Sequence, residues 1–187
     1  MALHKSPASM LTESLAESLE SAKFCIEYKK NDKSKWGKFA TGGCLGYPGA
    51  ILLFSIVDSI GSYFRKDASF KIQIDGKPTS IKSDGWEHFK ILNSDYFGQN
   101  LPEEFIKKLY SKFRSFLTHN HVLGKETYLM PSNELNLPFL KQKNQKGDEI
   151  YFVSLKELCE LCDKAVIKFL AKIDEIVPNS RQGKDFK

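Results

Sequence analysis

The sequence predicts a mainly α protein, a bundle of about five helices that carries a small β-hairpin insert. Apolar residues at three- and four-residue steps indicate amphipathic helices near residues 11–26, 105–116 and 155–173. A further segment, from residue 49 to about residue 65, is apolar on nearly every side and is typical of an enclosed central helix. We expect a single helical domain over residues 1–187, with its core at about 10–177 and a disordered tail at 178–187.

The first half of the chain is predicted as two helices, a short strand and a third helix. Pro48 suits the first turn of the central helix, where a backbone donor is not needed. Residues 70–76 alternate apolar and polar side chains before an Asp-Gly turn, which is typical of a strand and half of a small hairpin. Asp84 and Glu87 have the spacing of a capping box, so a helix is expected there. His88, within it, is interpreted as a structural histidine.

The second half is predicted as a helix, the β insert and a closing helix. Asn100 can cap a helix, Pro102 needs no donor in a first turn, and Glu103 suits the positive end of the helix dipole. Apolar segments near 127–130, 139–140 and 150–153, with a polar turn before the last, predict the hairpin-like insert. Ser154 and Glu157 form a second capping-box pattern, which opens the last helix.

Composition and charge restrict the possible classes of protein. The chain is 41% hydrophobic and 27% charged, which is typical of a globular protein. Its formal charge of +5 permits an anionic partner without requiring one. The N-terminus has no apolar stretch of the kind that a secretory signal needs, and the longest apolar run, residues 50–57, is too short to span a bilayer. We therefore expect a cytoplasmic protein that does not enter membranes.

The four cysteines are interpreted as reduced, small core residues. Cys159 and Cys162 form a C-x-x-C inside an amphipathic helix, whereas Cys25 and Cys44 are isolated. A zinc site needs four convergent ligands, usually from two closely spaced pairs. We expect no metal and no cofactor.

Arg114 and two histidines, His119 and His121, form the segment most suited to chemistry. A guanidinium binds phosphate oxygens through a bidentate, permanently charged fork. Imidazole titrates near neutral pH and can exchange a proton with a ribose hydroxyl or a leaving oxygen. The pattern therefore suits phosphodiester chemistry, and neither role requires a metal.

Helix geometry leaves the choice of histidine open. At α-helical spacing His119 lies about 140° around the axis from Arg114, whereas His121 lies about 20° from it. His121 is the natural partner if the helix continues, and geometry no longer decides if it ends near Thr118. Asn120 is a residue at which the helix could end.

Residues 109–120 resemble the signature of the HEPN superfamily (higher eukaryotes and prokaryotes nucleotide-binding), in which an arginine, a short spacer and a histidine lie near the end of a bundle helix. Residues 46–61 resemble the long buried helix of bacterial members, and residues 151–170 resemble their closing helix. The resemblance covers about residues 10–176 in layout and implies a HEPN-like helical bundle. Its specific part is the R-x4-H motif.

The resemblance also implies an activity and an assembly. Many HEPN members are metal-independent endoribonucleases, often toxins or antiviral effectors, in which two subunits combine their motifs into one site. It implies that Arg114 binds the scissile phosphate and that His119 transfers protons at the ribose 2′-hydroxyl, with a 2′,3′-cyclic phosphate and a free 5′-hydroxyl as products. RNA and a second copy of the chain are the implied partners. Ser115 replaces the Asn, Asp or His that often follows the arginine. This difference concerns the implied catalytic role more than the implied fold.

Other polar residues near the motif have two interpretations each. Asp58, in the apolar central helix, either lies at a helix edge or is hydrogen-bonded, or else it points at a functional arginine. Lys107, Lys108 and Lys112 form either an anion-attracting border for nucleic acid or a solvated helix face. The auxiliary site candidates are His121, Asn120, Ser115 and Asp58.

Three functional hypotheses follow from the sequence. The first is an RNA-cleaving enzyme that acts through Arg114 and His119. The second is a non-catalytic nucleic-acid or nucleotide-binding protein that uses the basic helix. The third is a protein-interaction module, for example a toxin–antitoxin component with an antitoxin partner, in which the Arg–His motif is vestigial.

Overall fold

The structure, a computed structural model, describes residues 6–185, and this part of the chain is mainly α-helical, as predicted. The α-helices are α1 (Pro7–Glu27), α2 (Lys33–Trp36), α3 (Gly46–Tyr63), α4 (Glu103–Lys108), α5 (Phe116–Asn120), α6 (Leu155–Leu170), α7 (Ile173–Asn179) and α8 (Arg181–Asp185). Two 3-10 helices cover Gly37–Phe39 and Gly85–Asn93, and a π-helix, Leu109–Ser115, joins α4 to α5. The strands are β1 (Ile72–Ile74), β2 (Lys77–Thr79), β3 (Thr127–Met130), β4 (Phe139–Lys143) and β5 (Glu149–Ser154).

Helix α3 lies at the centre of the fold, which confirms the predicted enclosed helix. It packs against α1, α6 and the 3-10 helix Gly85–Asn93. Its side chains Leu53, Val57 and Ile60 are fully buried. Burial of an aliphatic side chain of this size stabilises the folded state by about 1.5–3 kcal/mol. The apolar character that predicted α3 is therefore the main source of its stability.

The α4–π–α5 segment is one continuous helical span, residues 103–120. The sequence pattern placed Phe116 on its apolar face, but Phe116 is 40% exposed and Leu117 is fully buried. In a π-helix the hydrogen bonds run from residue i to i+5, so each turn holds more residues than an α-turn. The apolar face is consequently shifted by one residue beyond the π-helix.

The β insert is more than the predicted hairpin. Strands β4 and β5 do form an antiparallel hairpin, but β3 adds to the other edge of β5 in the parallel direction. A parallel neighbour needs a long crossover connection, which residues 131–148 supply here. A second, separate hairpin is formed by β1 and β2, in agreement with the alternation seen in residues 70–76.

The number and the ends of the helices differ from the prediction. The long helical spans are α1, α3, residues 103–120 and α6, and the other helices are short, so a bundle of about five helices is not confirmed. Residues 85–93 form a 3-10 helix. Part of the predicted disordered tail is helix α8, where the Gln182 side-chain amide donates a hydrogen bond of 2.7 Å to the Ser62 carbonyl. Residues 186 and 187 lie outside the described residues.

Between residues 6 and 185, every helix is too short or too polar to cross a membrane.

Candidate functional site

Asp58 connects three parts of the chain that are distant in sequence. Its Oδ2 lies 2.7 Å from Nη2 of Arg114, and its Oδ1 lies 2.8 Å from Nδ1 of His88. The Asp58 side chain is 18% exposed and that of Arg114 is 23% exposed. Asp58 is thus a hydrogen-bonded carboxylate, as one interpretation had it, and it also points at the arginine of the motif, as the other had it.

The contacts continue beyond His88 to a second ion pair. Asp84 forms an ion pair with Arg65, and its Oδ1 lies 3.5 Å from Nε2 of His88. That nitrogen is buried and has no partner with hydrogen-bond geometry among the described residues, so its contact with Asp84 is electrostatic only. We call Arg65, Asp84, His88, Asp58 and Arg114 the Asp58 network. Cations stand at both ends, with the imidazole between the two carboxylates.

Arg114 is held in place but still has donors to offer. A guanidinium carries five N–H groups, and Asp58 contacts the nitrogen Nη2. The Tyr110 ring centre lies 5.7 Å from Cζ of Arg114, which fixes the guanidinium from a second direction. Nε of Arg114 is buried and has no hydrogen-bond partner among the described residues, whereas almost a quarter of the whole side chain is exposed.

Local backbone structure explains why Arg114 faces α3. It lies in the π-helix, a distortion that often marks functional sites. Leu109 and Phe113 of this π-helix are fully buried and anchor it to the core. After α5 the chain turns back, and the Gly124 amide donates to the Lys112 carbonyl at 2.8 Å. A side chain at Gly124 would not fit, because its Cβ would lie 2.9 Å from Cβ of Lys112.

The two histidines occupy the exposed end of the helical span. His119 belongs to the last turn of α5 and is exposed. The helix continues past Thr118 and ends at Asn120, and His121 caps it in the left-handed conformation with φ 54°. Helix geometry favoured His121 as the partner of Arg114 only if the helix continued through residue 121. The helix ends at Asn120, so this preference does not apply. Arg114 lies in the π-helix and His119 in α5, so the angle expected from α-helical spacing does not apply to this pair.

The lysines of the predicted border are partly engaged. Lys107 Nζ lies 2.5 Å from Glu103 Oε1 and 4.6 Å from the Trp86 ring centre. Lys112 Nζ donates to the Lys125 carbonyl at 3.0 Å. These contacts favour the solvated-face interpretation for both lysines, since bound carboxylates and carbonyls compete with phosphate. Lys108 and Ser115 are half-buried, and Asn120 is exposed.

His88 is the residue whose connection the sequence did not reveal. Interpreted as structural, it is buried and bonded to Asp58, thirty positions away in sequence. The sequence offered one indirect indication. Asp58 lies inside an apolar helix, and a carboxylate there requires partners. Nothing in the local pattern around residue 88 identified that partner.

The cysteines and acidic residues do not assemble into a metal centre. Cys25, Cys44, Cys159 and Cys162 are all buried free thiols. Burial raises the pKa of the Cys159 thiol to about 11 and raises that of Cys162 as well, so both favour the uncharged form. Among residues 6–185 there is no group of three or more His, Cys, Asp or Glu side chains that could hold a metal ion.

Comparisons with protein-family models, with curated proteins and with solved structures found no significant match to this chain.

Proposed function

We propose that this chain is a HEPN-like, RNA-directed protein that acts as a metal-independent endoribonuclease. One observation carries the proposal: Asp58 holds the Arg114 guanidinium at 2.7 Å while 23% of that side chain stays exposed, on the helical span that ends in the exposed His119. An oriented, partly desolvated guanidinium binds a phosphate without losing further rotational freedom.

In the proposed reaction, the ribose 2′-oxygen attacks the adjacent phosphorus and the bond to the 5′-oxygen breaks. The products are a 2′,3′-cyclic phosphate and a 5′-hydroxyl, and the proton lost by the 2′-hydroxyl is balanced by the proton gained by the leaving oxygen. Arg114 stabilises the charge on the phosphoryl oxygens, and His119 takes part in the proton transfer. Asp58 is a positioning residue, because it acts through Arg114.

A homodimer is part of the proposal. Arg114 binds Asp58 of α3, whereas His119 is exposed at the end of the helical span, which supports a site in which the arginine of one copy works with the histidine of another. Because His119 is exposed, it is accessible to a second copy. Analytical ultracentrifugation should then detect a dimer at the concentrations at which RNA is cleaved.

The test is cleavage of mixed cellular RNA near pH 7 in the presence of EDTA. Removal of His119 (H119A) should lower the cleavage rate by about 100-fold to 10,000-fold, the range for loss of a general acid or base. The matched control is H121A, which removes an exposed histidine two positions away. Arg114→Lys keeps the positive charge beside Asp58 but lacks the planar fork, so it should cleave poorly while unfolding at nearly the same temperature as the parent protein.

Mixing two inactive variants tests the shared site. If Arg114 of one copy works with His119 of the other, an R114K and H119A mixture should regain part of the activity, since some mixed dimers contain one intact pair. Undiminished cleavage by R114K alone and by H119A alone would contradict the proposal. Loss of cleavage in H121A but not in H119A would transfer the proton-transfer role to His121.

A second candidate is a non-catalytic nucleic-acid, nucleotide or protein-binding module. The observation that favours it is the double use of Asp58, which binds His88 as well as Arg114 and so gives the arginine a purely structural task. Intact RNA with the parent protein at every concentration tested, in the presence of divalent cations as well as EDTA, would favour this candidate.

A further inference from the structure

A surface around α2 combines aromatic rings with a high density of lysine. Between residues 24 and 39 the chain contains five lysines and two acidic residues, Glu27 and Asp32. The surface belongs to the end of α1, to α2 and to the 3-10 helix that follows it. We call it the aromatic–lysine patch, and its members are Phe24, Tyr28, Lys30, Lys35, Trp36, Lys38 and Phe39.

Three rings of the patch, those of Phe24, Tyr28 and Trp36, form a connected row, in which Tyr28 and Trp36 are half-buried. Phe24 and Phe39 are each 62% exposed, which is unusual for phenylalanine. The Phe24 and Tyr28 ring centres lie 5.9 Å apart, and those of Tyr28 and Trp36 lie 6.1 Å apart. The Trp36 indole N–H donates to the Tyr28 hydroxyl at 3.3 Å, which fixes the orientation of both rings.

Lysine ammonium groups border these rings. Lys35 Nζ lies 5.6 Å from the Tyr28 ring centre and 5.5 Å from that of Trp36. Lys38 Nζ lies 5.3 Å from the ring centre of Phe39. At such distances a cation and a ring attract each other weakly at an exposed site. The charges thus stay close to the ring faces.

Asp32 does not neutralise these lysines through direct pairing with their ammonium groups. Its Oδ1 accepts hydrogen bonds from the Ser34 hydroxyl, the Ser34 amide and the Lys35 amide. These bonds lower the pKa of the Asp32 carboxyl and make it the N-cap of α2. The Asp32 carboxylate is therefore used for local structure.

The backbone under the patch is well ordered by hydrogen bonds. The Lys30 amide donates to the Gly43 carbonyl at 2.9 Å, and the Gly42 amide donates to the Lys30 carbonyl at 3.2 Å. The Leu45 amide donates to the Cys25 carbonyl at 2.9 Å, which ties the loop to α1. A ligand would therefore meet a surface that is already formed, and little ordering entropy would be lost.

We infer that the aromatic–lysine patch binds single-stranded nucleic acid. Exposed rings offer stacking faces to unpaired bases, and lysines beside them attract the phosphate backbone. A duplex hides its base faces, so charge alone would attract it. A membrane surface is less well matched, because interfacial binding uses an extended amphipathic helix and α2 has only four residues. The inference does not depend on Arg114 or His119 and goes beyond the proposed function.

The test uses a fluorescent single-stranded DNA of about 16 nucleotides, the upper end of site sizes for such surfaces. DNA lacks the 2′-hydroxyl that the proposed cleavage requires, so the oligonucleotide can be bound but not cleaved. Failure of the binding inference is therefore distinguishable from failure of the proposed cleavage. Phe39→Ala should weaken binding about fivefold to 100-fold, the range expected for one lost base–ring stack. Tyr128→Ala, which removes an exposed ring on β3, is the matched control and should bind as the parent does.

The lysines are tested by the salt dependence of binding. The double variant Lys35→Gln and Lys38→Gln should reduce the slope of log affinity against log salt by about 1.4, since each phosphate contact on a single strand contributes about 0.7. Lys146→Gln, an exposed lysine in the turn before β5, is the control. Its slope should match that of the parent.

Three results would overturn the inference. They are an affinity that F39A leaves unchanged, a duplex of the same length that binds as tightly as the single strand, and binding to phosphatidylserine-containing vesicles in place of the oligonucleotide. The last result would identify the patch as a membrane-binding surface. Phe39 is so exposed that its removal should not unfold the chain, which keeps the measurement interpretable.

Discussion

The Asp58 network places its arginines next to carboxylates, whereas the aromatic–lysine patch places its lysines next to aromatic rings. The Asp58 network joins α3, the 3-10 helix Gly85–Asn93 and the π-helix, and its side chains are mostly shielded from water. The aromatic–lysine patch is built from one stretch of chain and faces solvent. Ion pairs are stronger and unpaired charges are more costly when shielded from water. Substitutions that remove a charge from the network should therefore lower stability, and those in the patch should change binding.

Gly61→Ala should have the largest effect. Helix α3 passes so close to the segment that carries His88 that a Cβ on Gly61 would lie 2.1 Å from the His88 carbonyl oxygen. One of the two elements must move, and we expect a loss of about 3 kcal/mol in the free energy of unfolding. Gly49→Ala is the control in the same helix, where the nearest atom is the Cβ of Cys25 at 3.3 Å. Urea denaturation that finds equal stability for both variants would contradict the close approach.

Asp58→Asn should lower the free energy of unfolding by about 2 kcal/mol, less than for a fully buried pair because both partners retain some exposure. The variant leaves the Arg114 charge without its carboxylate. Adding Arg114→Gln should cost less than the sum of the two single changes, and a double-mutant cycle measures this coupling. The control is Asp163→Asn, which removes the surface pair with Lys23 and should cost under about 1 kcal/mol. Additive losses at Asp58 and Arg114 would mean that the pair of side chains contributes no coupling energy.

Glu87→Gln should cost about 1 kcal/mol at pH 7, through loss of charge-assisted hydrogen bonds, and the cost should shrink in acid. Burial alone would raise the pKa of Glu87, but hydrogen bonds from Lys90 Nζ and from the amides of Lys82 and Ser83 outweigh it and lower that pKa. A lowered pKa in the folded state stabilises the protein above the ordinary glutamate pKa, and this stability is lost as the pH falls through the folded value.

The measurement for Glu87 is a series of denaturation curves from pH 7 down to about pH 3, across the ordinary carboxyl range. The difference between the parent and Glu87→Gln should fall towards zero in the acidic part of the series. Glu134→Gln, an exposed carboxylate in the loop before β4, controls for the loss of one negative charge. A difference that stays constant with pH would show that the side-chain charge does not matter.

Phe39→Ala should have the smallest effect on stability, within about 0.5 kcal/mol, as for most surface substitutions. The same protein sample should show the loss of oligonucleotide affinity described above. Unchanged stability together with lost affinity distinguishes the patch from the network. Variants that remove a charge from the network are expected to lose stability at every salt concentration. A melting temperature that falls by several degrees in F39A would mean that the ring packs against the core.

Local patterns predicted the elements whose apolar periodicity is complete within one segment. The apolar residues of α1, α3 and α6 and the alternation in residues 70–76 led to correct elements, because periodicity is a property of a short segment. The π-helix was not predicted, and neither was the burial of Leu117 in place of Phe116. The parallel pairing of β3 with β5 was also missed, because it depends on partners beyond the segment.

The sequence by itself determined the mainly helical class, the enclosed helix α3, the Arg–His segment and the lysine-rich composition around α2. The tertiary structure decided that Asp58 binds Arg114 and His88, that His121 ends its helix, and that Phe24, Tyr28 and Trp36 form one row of rings. The physical reason is the range of the interactions. Periodicity and capping act within a few residues, whereas a shielded ion pair exists only once packing has brought distant segments together.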